Sequence, residues 1–133
     1  MPDYTPVFLP GLTATFTAAG TLTGGDPVEV AGSGTVQKVA GAASTAYVGI
    51  AAHDAAAGWA VTVILDRVVH EGAADGAINA GDQLAASPAP GRQVTQAADA
   101  ATATAADINQ ARAVIGVALT SAADATTVRW MQR

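Results

Sequence analysis

The sequence predicts an all-β chain, a small sandwich or barrel with at most one short helix. Three observations predict it. Apolar and polar residues alternate with period two, as in TATFTA at 13–18 and AVTVIL at 60–65. Turn signals such as GGDP, GSG and SPAPG arrive about every ten residues, the rhythm of a small β domain. The third is an internal repeat. YVGIAAHDAAAGWAVTVIL at 47–65 returns, altered, as VIGVALTSAADATTVRWMQ at 114–132. Val48 meets Ile115, Gly49 meets Gly116, Ala51 meets Ala118 and Val61 meets Val128, at a constant offset of 67 residues. Upstream, Gly25-Asp26 meets Gly81-Asp82 at an offset of 56, so the second copy carries about eleven extra residues. Two related β units, about 25–65 and 81–131, are therefore expected inside one β domain spanning 13–133. About a quarter of the residues are Ala, a strong helix former. Gly, Thr and Val interrupt every Ala run, which favours strands over helices.

Residues 1–12 hold Pro2, Pro6 and Pro10 among Tyr4, Val7, Phe8 and Leu9. Proline fixes φ and biases the residue before it towards extended geometry, so this is an extended arm. It either folds over its own barrel or lies on a neighbour by strand addition. A strand at Leu12–Ala18 follows. After the turn at 24–27, short strands at 28–31 and 35–39 form a hairpin about Gly32-Ser33-Gly34. The first copy of the repeat then gives a strand at 47–52, a turn at 53–58 and a strand at 59–65. Asp66-Arg67 divides two β-branched runs, which fits a hairpin or one long bent strand. Residues 72–81 read as loop, 83–86 and 92–96 as strands about the Pro-rich turn at 87–91. The extra length of the second copy falls at 97–112. There TAADINQAR fits one or two helical turns, with Thr104 as N-cap and Asp107 three residues on. Strands at 113–119 and 126–131 close the sheet.

Length fits one domain with a modest core. Two Trp, two Tyr and two Phe among so many Ala and Val make that core thin, so association with a larger surface is expected to supply burial. The net charge is −5 and the six basic residues are scattered. Clustered cations for phosphates and aromatic platforms for bases are both missing, so no nucleic-acid partner is expected. Cysteine is absent, which removes disulfides and thiolate metal sites. The N-terminus does not read as a signal peptide, and no apolar run has the length to span a bilayer, so no membrane partner is expected.

His53-Asp54 and His70-Glu71 are the pairs most suggestive of chemistry. Neighbours on a strand point to opposite faces, so His70 and Glu71 do not share a site. His53-Asp54 occupies a turn whose counterpart is Thr120-Ser121, which points to a solvated turn. Two His fall short of a metal set. Ser33, Ser44, Ser87 and Ser121 lack a nucleophile elbow. Gly32-Ser33-Gly34 is too short for a dinucleotide fingerprint. Asp26 and Asp82 fit turns that bond their own backbone. No catalytic constellation, cofactor site or metal site is expected, and the chain does not read as an enzyme. Arg129, Trp130 and Arg133 form one aromatic–basic cluster, which suits either a subunit interface or a strand with Trp130 tucked into the core.

The ordered set GDPVEV, YVGIAAHDAAAGWAVTVIL, VVHEG, AGDQL and VIGVALTSAADATTVRWMQR resembles the small head decoration, or capsid cement, proteins of tailed bacteriophages. More narrowly it resembles the Ala/Gly/Thr-rich cement proteins of phages of actinobacteria and related hosts, over nearly the whole chain from Val7 on. The resemblance implies a β-barrel or β-tulip domain that assembles as a homotrimer on the outer surface of the expanded head. It implies the major capsid protein as partner, and synthesis in the host cytoplasm before addition to the virion. It also implies an N-terminal arm, with Asp3, Tyr4, Val7, Phe8 and Leu9, that joins capsid-protein elements. The other expectation kept open is a carbohydrate-binding β-barrel on a virion or cell surface, which surface aromatics in a groove would favour and of which this chain has few to offer.

Overall fold

The alternating runs become ten strands and one helix in the computed structural model, which describes residues 3–4, 12–65, 67–98 and 104–133. Strands β1 (Thr13–Ala18), β2 (Pro27–Gly32), β3 (Thr35–Lys38), β4 (Tyr47–Ala51) and β5 (Ala60–Ile64) close into one barrel, in the spatial order β1-β3-β2-β4-β5. Strands β6 (Val69–Asp75), β7 (Gln83–Ala86), β8 (Val94–Gln96), β9 (Val114–Ala118) and β10 (Thr127–Gln132) close into a second barrel with the same order, β6-β8-β7-β9-β10. In each barrel the first strand pairs parallel with the third and antiparallel with the fifth. Closure removes the open edges at which a sheet would aggregate.

The landmarks of the repeat recur as the same hydrogen bonds. Leu22 forms an isolated bridge with Ala55, and Ile78 forms one with Ala122. The Thr23 amide donates to Asp26 and the Asn79 amide to Asp82. Across the barrel end, the Gly24 amide donates to Asp54 and the Ala80 amide to Ser121. The central Gly of each copy has one physical cause. A Cβ on Gly49 would lie 2.1 Å from the Ile64 carbonyl oxygen, and one on Gly116 would lie 2.2 Å from that of Met131. The equivalence also reaches further upstream than Gly-Asp, because β1 and β6 take the same place in their barrels. Ala18 sits opposite Val36 and Ala74 opposite Val94, so two of the extra residues fall between β7 and β8. The other nine fall between β8 and β9.

That longer connection carries α1 (Ala105–Arg112), with Thr104 and Asp107 in a reciprocal capping box as the sequence predicts. The helix buries none of its residues.

Two readings need correction. Residues 72–75 are not loop, because β6 continues to Asp75. Its inward side chains are His70, Gly72 and Ala74, small or polar, so the strand lacks an apolar stripe. The runs on either side of 66–67 form neither a hairpin nor one bent strand. β5 is paired on both sides by β1 and β4, and β6 by β10 and β8, so the segment is the crossover between barrels. Arg67, with φ of 28°, turns the chain there.

The first barrel is filled by Ala18, Leu22, Val28, Val36, Ala51, Ala55, Val61 and Val63, none larger than leucine. The second is built around Trp130, with Ile78, Leu84, Val94, Ile115 and Val128. Val39 and Ile50 of the first barrel join that second cluster, so apolar contact continues across the seam.

Candidate functional site: the seam between the barrels and the outer faces

Three polar side chains, His70, Gln93 and Gln132, are buried along the seam, and each is held by a bond the barrels supply. Gln132 donates through Nε2 to the Leu65 carbonyl at 2.6 Å, which turns its Oε1 to His70 Nε2 at 2.7 Å. His70 Nε2 therefore carries the proton, and Nδ1 accepts from the Tyr4 hydroxyl at 2.7 Å. The three rings stack in a row, Tyr4 on His70 at 5.6 Å between centroids and His70 on Trp130 at 4.9 Å. Trp130 Nε1 donates to Gln93 Oε1 at 2.7 Å, and Gln93 Nε2 reaches across the seam to the Gly25 carbonyl at 2.9 Å. Gly72 makes room for this, since a Cβ there would lie 2.1 Å from Gln93 Oε1.

Burial controls the titration of the row. It lowers His70 from its ordinary 6.5 to about 4, against the opposing pull of the Gln132 bond, and pushes Tyr4 up to about 12. Burial also raises Tyr47, whose hydroxyl has no hydrogen-bond partner among the described residues. Beside the row lies a groove of about 210 Å³ whose lining includes Tyr4, Gly25, Asp26, Glu71, Arg92 and Gln93. Its charged groups are paired. Lys38 meets Asp26 at 3.0 Å, and Arg92 meets the Ala74 carbonyl at 2.7 Å and Asp124 at 3.0 Å.

The sequence-level candidates are thus distributed through the fold. His53 accepts the Thr62 amide at 3.2 Å, as Thr120 accepts that of Arg129 at 2.9 Å in the other barrel. Both His53 and His70 are committed to bonds within the fold. Asp54 is held below the usual carboxylate range by the Gly24 amide. Glu29 is pushed up by burial, but the Ser44 hydroxyl, the Gln37 amide and the Ala40 backbone N–H outweigh this and lower it overall. Its carboxylate ties down the loop before β4. Ser87 donates to Asp75 at 2.6 Å. Among the described residues no three His, Cys, Asp or Glu side chains gather as a metal set.

Of the arm residues, Asp3 is exposed and Tyr4 is half-buried, its amide bonded to the Ala52 carbonyl at 2.6 Å. Val7, Phe8 and Leu9 lie outside the described residues. Of the aromatic–basic cluster, Trp130 is a core residue, fully enclosed, so it offers no surface to a neighbouring subunit. Alternation on β10 turns Arg129 the other way, where it pairs with Glu71 at 2.6 Å, and Arg133 is exposed at the end of the strand. Beside that pair, Val69, Met131 and Val117 form one cross-strand row on the outer face of β6, β10 and β9. Met131 is 40% exposed. Periodicity alone marks Met131 as outward; the row appears only once the strand registers are known.

No family model matches this chain, and no curated relative matches it. Among solved structures it is similar to the N base of the head fiber gp8.5 of bacteriophage phi29, with a TM-score of 0.61 over 92% of this chain and 93% of that one. Identity is 17%, so the likeness is one of fold.

Proposed function

We propose that this chain is a structural protein of a tailed-phage head. In this reading it is a decoration or cement protein, bound as a homotrimer to the outer surface of the major capsid protein lattice. It braces the expanded head by burying many small contacts and has no catalytic role. The observation that carries the proposal is the near end-to-end likeness of fold to the base of a phage head fiber. Three features of the chain support it. The buried cluster that fills the first barrel holds no side chain larger than Leu22, which suits a protein stabilised by association. The outer row of Val69, Met131 and Val117, flanked by Arg129 and Glu71, is an apolar strip with a charged border, the composition of a subunit contact. The net charge of −5 sets it apart from packaged DNA and from anionic membranes.

The arm fits the same reading. Tyr4 pins its start to the seam, and Asp3, Val7, Phe8 and Leu9 are the residues proposed to reach the capsid protein. Light scattering across a size-exclusion peak tests the assembly. A mass three times 13.0 kDa is expected. A monomer at all concentrations rejects the trimer, and Met131→Glu is expected to shift the peak towards monomer without unfolding it.

A further inference from the structure

We propose that the tip of the first barrel around Trp59 is a binding site for neutral carbohydrate, with a pyranoside ring stacked on the indole. This goes beyond the capsid role and does not depend on it. Trp59 is 65% exposed, and beside it runs a shallow groove of about 220 Å³. The floor of the groove is the buried bridge between Leu22 and Ala55. Its walls carry the exposed Thr21, Thr23 and Asp54. One exposed aromatic face beside a groove that two threonines and an aspartate help to line matches a sugar, which has an apolar C–H face and a rim of hydroxyl donors and acceptors.

The site is also rigid. The Trp59 amide donates to Ala56 at 3.0 Å and its carbonyl accepts from Ala18 at 2.8 Å, which fixes the backbone that presents the ring.

The second barrel serves as an internal control. Its equivalent tip repeats the bridge, as Ile78 with Ala122, and the backbone bonds of the turn. There Thr126 stands in place of Trp59 and Ser121 in place of Asp54. The fold therefore makes this tip without an aromatic ring, so packing does not account for Trp59. Charge selects among sugars. A net charge of −5 disfavours uronates, sialylated glycans and sulfated chains, and leaves neutral hexoses and N-acetylhexosamines.

The chain has two tryptophans, so a ¹H–¹⁵N spectrum of the full protein carries two indole N–H signals. One is Trp59; the other is Trp130, buried and bonded to Gln93. The chain is titrated with cellotetraose, maltotetraose and chitotetraose, and with tetragalacturonic acid as the anionic counterpart. At least one neutral probe is expected to shift the Trp59 signal saturably and leave that of Trp130 in place. Trp59→Phe is expected to weaken binding roughly tenfold and Trp59→Ala to abolish it, as loss of a stacking platform does. An unmoved Trp130 signal in both variants reports an intact fold. The proposal is overturned if no neutral probe moves the Trp59 signal at about 10 mM. It is equally overturned if the anionic probe binds as well, or if Trp59→Ala binds as wild type. Loss of the Trp59 signal only on self-association or on capsid shells would make the ring a protein anchor and reject the sugar.

Discussion

His70 shows what a buried polar residue does to a strand and to its pH response. Neutral, it joins Tyr4 to Gln132 and stacks between Tyr4 and Trp130. Burial sets its folded pKa at about 4, below the ordinary 6.5, so the unfolded chain binds the extra proton first as pH falls. The stability it contributes is complete above pH 6.5 and is lost as pH drops towards 4, a change of about 3 kcal/mol. Urea denaturation at several pH values is expected to show that slope in wild type and a flatter one in His70→Gln. An NMR titration of His70 with a midpoint near 6.5 would contradict it. Gly116 makes a second residue-scale case. A Cβ there meets the Met131 carbonyl at 2.2 Å and the Trp130 ring at 2.8 Å, so Gly116→Ala is expected to cost about 2–3 kcal/mol in the same assay. Gly20→Ala, with nothing within 4 Å, is expected to be close to neutral.

Among the elements, legibility followed the apolar stripe. β10 alternates cleanly and β5 does so as far as Val63, and their place in the repeat is readable, down to the two glycines whose Cβ positions are occupied by a partner strand. The helix is readable too, because Thr104 and Asp107 make a local signal that needs no tertiary context. β6 was only partly legible. Its inward face runs His70, Gly72, Ala74, and the reason for each lies elsewhere in the chain, at Tyr4, Gln93 and the opposing β8. The equivalence of β1 and β6 was hidden for the same reason. Since α1 buries nothing, it is an addition to the barrel and no part of its core. Excising nine residues between β8 and β9, to match the shorter connection between β3 and β4, is therefore expected to leave the denaturation midpoint nearly unchanged. A large loss of stability on that excision would mean the helix packs on the barrel in solution.

At the scale of the whole molecule, two similar barrels share one seam, and the seam holds the start of the arm. This part of the site was least legible, because Tyr4, His70, Gln93, Trp130 and Gln132 come from distant stretches with no spacing to link them. Either outcome for Trp130 fitted its sequence; alternation on β10 with Arg129 on the outer face decides it for the core. The position of Tyr4 also sharpens what an arm deletion measures. Removing residues 2–9 takes away both the proposed capsid grip and the Tyr4–His70 contact, whereas Tyr4→Phe removes only the hydroxyl bond. The deletion is expected to weaken capsid attachment strongly and Tyr4→Phe only slightly, each variant remaining folded by circular dichroism. The most direct measurement is co-sedimentation of the purified chain with shells of its cognate major capsid protein, expanded and unexpanded. Saturable pelleting with expanded shells, little with unexpanded ones and greater resistance of the decorated shells to heat is the result expected. A chain that stays in the supernatant with both kinds of shell would contradict the account.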